Sequence, residues 1–185
     1  MPIRLNIIVA ACENNGIGLN GELPWRLKEE MKHFSRMTKA TSTEGKKNMV
    51  LMGRKTWASI PAKFRPLPGR INLVISSRAK SGSAEFDGSI ACSSFEEAMQ
   101  EAEKRSDELD TVWAIGGSSI YQMAFESRHL HRVYLTKILK NFECDTFLPP
   151  FDSEKLKPVL DPAVSSDVQQ EGDISYKYEV LEKIA

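Results

Sequence analysis

The chain has 185 residues, 41% of them hydrophobic, with 25 Lys plus Arg balanced by 25 Asp plus Glu. That length suits one compact α/β domain spanning residues 1–185, and no break in composition divides it. Zero formal net charge argues against nucleic acid or a membrane surface as the main partner, because phosphate neutralisation supplies most of a nucleic-acid binder's affinity.

Cys12, Cys92 and Cys144 are widely spaced, form no CxxC pair, and have no metal-ligand spacing with His33, His129 or His131. Reduced thiols in a reducing, cytoplasmic compartment and no metal are expected. The apolar run Leu5 to Ala11 contains Asn6 and ends in the turn residues Glu13-Asn14-Asn15-Gly16, so it reads as a first strand rather than a secretion signal. No stretch approaches the ~20 apolar residues of a membrane span.

Taken in order, Leu5 to Ala11 is a buried strand and Leu27 to Met37 has helical period. Asn48 to Met52 is a second buried run, and Ile71 to Ile75 a third, followed by a loose segment from Ser76 to Asp87. Phe95, Ala98, Met99 and Ala102 share one helical face. Thr111 to Ile115 is a strand running into Gly116-Gly117, and helical spacing resumes over Ser118 to Phe125. Arg132 to Leu139 and Tyr176 to Leu181 are strands with no helix between them. The pattern predicts a single α/β domain: a mainly parallel twisted sheet, an antiparallel C-terminal edge strand, and helices on both faces. Ligands of such sheets lie beyond the carboxyl ends of the strands, which directs attention to Asn14–Trp25, Gly53–Thr56, Ser76–Arg78 and Gly116–Tyr121.

Gly16-Ile17-Gly18-Leu19-Asn20-Gly21 matches the dinucleotide fingerprint Gly-x-Gly-x-x-Gly, but that motif must open a helix. Here Asn20-Gly21 favours a turn and Pro24 forces Leu23 to be extended, so a flexible loop able to close over a ligand is expected instead.

At 100° per residue, Leu27, Met31, Phe34 and Met37 form an apolar stripe on the first helix, and Glu30 falls inside it. A carboxylate among apolar neighbours is costly unless paired or protonated. Two readings stand: Glu30 at the stripe edge reaching water, or Glu30 lining a pocket that awaits a ligand with two parallel N–H donors, such as an aminopyrimidinone ring. Thr136 shares a strand face with Tyr134 and Ile138 and gains meaning only if it meets Glu30.

Gly53-Arg54-Lys55-Thr56 joins two cations to a helix start, an arrangement suited to anions. Gly116-Gly117-Ser118-Ser119 offers close backbone approach and hydroxyl and amide donors, and Ser76-Ser77-Arg78 ends a third strand. Three anion sites along one sheet edge suit a dinucleotide with an extra ribose phosphate, which favours NADPH over NADH.

In family order, the segments Gly16 to Trp25, Met52 to Trp57, Pro68 to Asn72, Ile115 to Tyr121 and Asp145 to Phe147 resemble the dihydrofolate reductases, with length and spacing of the vertebrate type. The resemblance runs from Leu5 to about Lys183. It implies NADPH-dependent reduction of dihydrofolate to tetrahydrofolate by an antifolate target, and with no extended apolar edge in the sequence a monomer is expected. Glu30 would hold the pteridine N3 and 2-amino groups, with Thr136 bridging, and Leu23 and Trp25 would belong to the catalytic loop. Ile8, Ala10, Met31, Phe34, Ile60, Leu67, Ile115 and Tyr121 would wall the pocket, and Arg70 would pair with the substrate's glutamate tail. On the cofactor side, Gly53, Arg54, Lys55, Thr56, Ser76, Ser77 and Arg78 would cover the adenosine half with its 2′-phosphate. Gly117, Ser118, Ser119, Ile120 and Tyr121 would cradle the pyrophosphate, with Ala10, Ile17, Gly18, Asn20, Gly21 and Gly116 also on the cofactor. The Gly116–Gly117 bond is cis in that family.

The chain also departs from the pattern. Met31 stands where vertebrate-type enzymes usually carry an aromatic residue, the loop after Trp25 is one residue shorter and lacks a Pro-Pro pair, and Ser93 replaces an arginine, leaving Arg78 as candidate substitute. The expected chemistry is hydride transfer to pterin C6 with N5 protonated by a water admitted past Leu23. Glu30 would act electrostatically, its pKa lifted by burial. Two rivals are a reductase of this fold acting on a pyrimidine intermediate of flavin synthesis, which should lack Leu23-Pro24-Trp25, and a non-catalytic nucleotide-binding module, for which a buried Glu30 would be only a liability.

Overall fold

The structure is a computed structural model that describes residues 2–79 and 84–185. The middle of the Ser76-to-Asp87 segment therefore lies outside the described residues. The first apolar run forms β1 (Leu5–Ala11), every residue of which is buried except the half-buried Ala10. A short β2 (Gly16–Gly18) precedes α1 (Lys28–Lys39), β3 (Lys47–Gly53), α2 (Arg54–Ser59) and β4 (Ile71–Ile75). Next come β5 (Ile90–Cys92), α3 (Phe95–Lys104), β6 (Leu109–Gly116), α4 (Ser118–Glu126) and β7 (Leu130–Ile138). The chain ends through β8 (Thr146–Phe147), β9 (Leu156–Pro158), β10 (Gln169–Glu171) and β11 (Ile174–Lys183).

Nine strands form one sheet in the order β10-β11-β7-β1-β6-β3-β4-β5, with β9 on β11. All pairs from β7 to β5 are parallel, so their carboxyl ends line one edge. The antiparallel part is larger than a single C-terminal edge strand: β11 pairs antiparallel with β7, β10 and β9. The segments missed from sequence are two or three residues long, too short to show a period. Gly16–Gly18 is a strand paired with β8, not the mouth of a helix.

Alternation along the strands separates two faces. Leu5, Ile7, Val9 and Ala11 pack with Ala98, Met99 and Ala102 of α3 and Ile120, Tyr121 and Ala124 of α4. Ile8 points the other way, toward Met37 of α1 and Trp57 of α2. The helices thus cover both faces, as the alternating pattern predicts. β1 is followed by α1 on one face and β6 by α4 on the other. The crevice between their ends is therefore where an open α/β sheet binds its ligand. Pairing of β1 with β6 reaches only Ile7↔Ala114, and the β3–β6 ladder skips Ile115 between Leu51↔Ala114 and Met52↔Gly116. Past the last β1–β6 pair, the Ile8 carbonyl accepts the Tyr121 hydroxyl at 2.9 Å. The sheet opens at this point without leaving that carbonyl unpaired.

The C-terminal end of α1 is fixed by Asn48, which is wholly buried. Its amide donates to the carbonyls of Thr38 (2.9 Å) and Ala40 (2.8 Å), and its oxygen accepts from Thr111 N at 3.1 Å. Backbone groups of α1, of the residue that caps it and of β6 thus share one side chain. Asn48→Ala orphans all three and is expected to lower unfolding free energy by about 2–3 kcal/mol. Urea denaturation measures this, and a loss indistinguishable from a surface substitution would show that α1 is held by other means.

Candidate active site

Glu30 lies in the first turn of α1 and is 7% exposed. The even choice left by helical spacing resolves toward burial. The Thr136 hydroxyl donates to Glu30 Oε1 at 2.8 Å. Glu30 Oε2 takes no protein donor among the described residues, yet it is not sealed from solvent. Strand register explains the meeting: Ala10 of β1 and Tyr178 of β11 flank Thr136 directly, placing the three side chains in one row beneath α1. Burial pushes the Glu30 carboxyl up to about 7 from 4.5, against the Thr136 hydrogen bond and with help from Glu171.

Glu171 of β10 was invisible from sequence. Leu27 precedes α1 without a capping side chain, and Glu171 supplies the cap from a distant strand. Its Oε1 accepts from Glu29 N at 3.1 Å and its Oε2 from Glu30 N at 3.4 Å, while Tyr176 donates its hydroxyl to Oε2 at 2.6 Å. Partial burial raises the Glu171 pKa, but Tyr176 and the amides of Glu29, Glu30 and Lys28 outweigh it and hold the carboxyl below its ordinary value. A negative charge at this helix end also complements the macrodipole. His33 is a second omission, because a histidine does not count toward an apolar stripe. It is buried, stacks on Tyr178 at 4.0 Å between centroids, and is driven down to about 4 by burial and by Arg36.

Of the expected wall, Ile8 is buried, while Ala10, Phe34, Ile60, Leu67 and Ile115 are all half-buried. Phe34, Ile60, Leu67 and Ile115 pack on the same cluster as Ile8. Met31 corrects the stripe read from periodicity: it is 52% exposed, because the buried arc of α1 runs through Glu30, His33, Met37 and Thr38 and leaves Met31 at its rim. The Tyr121 hydroxyl is already engaged with Ile8, and burial followed by the Glu30 charge pushes its pKa up.

Arg70 is 8% exposed and takes part in no ion pair of the described residues, as do Arg54 and Lys55. Its Nη1 donates to Thr38 Oγ1 and its Nε to Pro68 O, both at 2.9 Å. Thr38 in turn donates to Phe34 O at 2.8 Å, so the guanidinium is registered to α1. Buried Asn72 fixes the loop before it, accepting from Leu67 N and donating to the carbonyls of Leu67 and Arg70. A desolvated cation held only by neutral acceptors is a receptor for an anion.

At the strand ends, Gly116–Gly117 is a cis peptide and Gly116 has φ +120. A Cβ on Gly53 would lie 3.9 Å from Gly117 N, so the starts of α2 and α4 are adjacent. Neither helix has a side-chain cap or an acid in its first turn. Arg54, Thr56, Gly117 and Ser118 are half-buried, Lys55 and Ser119 exposed, and Ile120 buried. The third expected anion group is partly committed: Ser76 is buried and its hydroxyl accepts from Arg78 N, while exposed Arg78 reaches Glu85 at 4.0 Å. Ser93 gives its amide and hydroxyl to Glu97.

In the loop, Ile17 and Gly18 are half-buried, Asn20 and Gly21 exposed with positive φ, and Leu23 is 47% exposed. Trp25 is buried, meets Phe142 edge-on, and its Nε1–H has no protein acceptor. A cavity of about 290 Å³ is lined by Asn15 and by residues of the 148–153 segment. Among the described residues no helix is long and apolar enough to cross a membrane, and no three His, Cys, Asp or Glu side chains are grouped to hold a metal.

The dihydrofolate reductase family profile matches residues 4–183. The chain is 47% identical to a dihydrofolate reductase of Sus scrofa over 183 residues, 97% of each chain. It is 43% identical to one of Drosophila melanogaster over 181 residues, 98% of each. Among solved structures, Schistosoma mansoni dihydrofolate reductase superposes with a TM-score of 0.85 at 37% identity, covering 100% of both chains.

The Glu30 shift has a definite consequence for stability. Its folded pKa, about 7, exceeds the unfolded 4.5, so its contribution is full below 4.5 and is lost as pH rises to about 7. In urea titrations of the ligand-free protein, Glu30→Gln should gain on the wild type across that window and keep a constant difference above it. A pH-independent difference would mean Glu30 is not held in a desolvated site. Glu171→Gln should lower the upper end of that window, since it removes a neighbouring negative charge, and lower stability by about 1 kcal/mol through the weakened cap.

Proposed function

The chain belongs to the dihydrofolate reductase family and reduces dihydrofolate to tetrahydrofolate; from that premise we propose that Glu30 seats the pterin and that NADPH binds across the ends of β1, β3 and β6. The observation that carries the reading is the buried Glu30 carboxylate, with one oxygen held by Thr136 and the other open. Two parallel N–H donors on a planar ring are what such a carboxylate lacks.

NADPH, when bound, supplies the hydride that pterin C6 receives. The chain's own part is to orient, desolvate and manage one proton. Ile8, Ala10, Phe34, Ile60, Leu67 and Ile115 form an apolar wall that aligns the ring and excludes bulk water, with Met31 at its rim. N5 must gain a proton. Tyr121 is unsuited because its hydroxyl is bound to Ile8 and its pKa is raised. His33 is neutral at physiological pH. That leaves water entering beside exposed Leu23, with Glu30 near neutrality polarising the ring.

Several features support the cofactor assignment. The adjoining starts of α2 and α4 are uncapped and free of acids, and Gly53 and Gly117 leave the backbone open between them. Arg54 and Lys55, without carboxylate partners among the described residues, supply positive charge toward a 2′-phosphate, and Ser77 and Arg78, the latter 4.0 Å from Glu85, continue that edge. Ser76 contributes through the turn it holds rather than through a free hydroxyl. Ile17, Gly18, Asn20 and Gly21 lie on the loop that would close over the nicotinamide. Arg70 is assigned the substrate's tail carboxylate. We take the protein to act as a cytoplasmic monomer open to antifolates, which compete for Glu30.

Loss of NADPH absorbance on adding dihydrofolate, blocked by an antifolate, is the direct assay. Glu30→Gln should slow hydride transfer at neutral pH by about 100-fold or more, whereas Glu29→Gln, at an exposed Lys32 pair, should be nearly silent. Equal losses would remove Glu30 from its role. Arg54→Ala should weaken NADPH about tenfold more than NADH. Arg70→Ala should raise KM for a glutamate-bearing substrate and leave that for a bare pterin unchanged; parallel changes for both would reject the tail assignment.

A further inference from the structure

Cys12 directly follows β1, and Cys144 stands two residues before β8. Their Sγ atoms lie 3.9 Å apart although 132 positions separate them in the chain. Neither thiol serves the reaction described above. Both sit where the loop over residues 14–25 leaves the sheet. The Cys12 thiol donates to Asn14 Oδ1 at 2.8 Å, and the same oxygen accepts Gly16 N at 3.0 Å. The Asn14 amide donates to Phe142 O at 3.3 Å. A Cβ on Gly16 would collide with the Cys144 thiol, and Gly16 opens the strand that pairs with β8. The two thiols therefore join both sides of the loop's root.

We propose that Cys12 and Cys144 are a site of reversible thiol oxidation, closed to an intramolecular disulfide by exchange with a small-molecule disulfide, and that the bond restrains the 14–25 loop. Cys144 is half-buried and Cys12 is 4% exposed, so Cys144 reacts first. Its thiolate attacks one sulfur of the reagent RSSR, the S–S bond breaks, and RSH leaves with the proton that Cys144 gave up. Cys12, deprotonated in turn, attacks Cys144 Sγ and expels a second RSH. Two protein thiols lose two electrons in total and RSSR gains them. From 3.9 Å the sulfurs must close to about 2.05 Å, a shift that breaks the Cys12–Asn14 hydrogen bond and draws the 142–145 segment onto β1. Burial, then Cys12, raises the Cys144 pKa, so the resting state is dithiol and closure accelerates as pH rises. Cys92, buried on β5 and pushed up to about 11, is the internal control.

The test treats the whole protein with oxidised glutathione at mildly alkaline pH, removes the reagent, denatures the protein and caps residual thiols with an alkylating agent, and reads intact mass and tryptic peptides. The expected product has lost two hydrogens, retains Cys92 as its one alkylated cysteine, and yields a Cys12–Cys144 linked peptide that dithiothreitol separates. Cys12→Ser should instead accumulate a stable glutathione adduct at Cys144. A stable adduct on the wild type, or a Cys12 that remains alkylatable after exhaustive oxidation, overturns the site. These mass readouts are independent of the proposed catalytic reading. Turnover of the oxidised wild type should fall severalfold and recover with dithiothreitol, while Cys144→Ser stays insensitive to the oxidant; unchanged turnover in the linked protein overturns the loop restraint.

Discussion

The contact on which the site depends is the 2.8 Å hydrogen bond from Thr136 to a carboxylate buried under α1. A lone acid at that depth is tolerated only if its charge is met or removed. Thr136 meets one oxygen and burial favours the proton on the other, so Glu30 stands near neutrality without a cationic partner. A permanent Arg or Lys beside it would have stabilised the empty protein but occupied the ligand's place. The demand for a flat donor-bearing ring follows from leaving the acid incompletely satisfied.

Much else in the fold serves to hold that helix still. Its N-terminus takes a carboxylate from β10 and its C-terminus an amide from β3, through Glu171 and Asn48. Between them Thr38 passes register to Arg70, which Asn72 and the Pro68 carbonyl fix from the sheet side. Two ends of a substrate, an amidine-like head and an anionic tail, would thus be measured along one twelve-residue helix. Glu30 sits on α1 and Arg70 is hydrogen-bonded to Thr38 of the same helix, so helical rise contributes to the distance between them.

The parts legible in the sequence are those where one residue type conflicts with its surroundings. Glu30 inside an apolar stripe, glycines at strand ends and cations at the start of a short helix could each be read from local pattern, as could every long strand of the parallel sheet. Periodicity failed at the margins. Met31 counts as apolar, yet it lies at the rim of the buried arc, while His33 counts as polar and is buried by stacking on Tyr178. Glu171 and Asn48 are ordinary polar residues in sequence. Their roles come from tertiary placement more than 140 positions away in the first case and from three backbone partners in the second. The two- and three-residue strands give no period to detect, although one of them carries the helix cap.

Glu30 and Glu171 show why residue identity alone could not have assigned these roles. They meet at the same helix end, and the amide of one donates to the carboxylate of the other. Glu171 receives the amides of Glu29 and Glu30 and a tyrosine hydroxyl, so its ionised form is favoured and both its oxygens are engaged. Glu30 receives a single hydroxyl in a drier place, so its ionised form is disfavoured and one oxygen stays open. Their charges also repel, which raises the less solvated of the two. Filling the acceptors of Glu171 thus secures the helix and keeps Glu30 close to its protonation point. Glu30, with a single donor, is the acid that a ligand can complete, because both oxygens of Glu171 are already engaged within the protein.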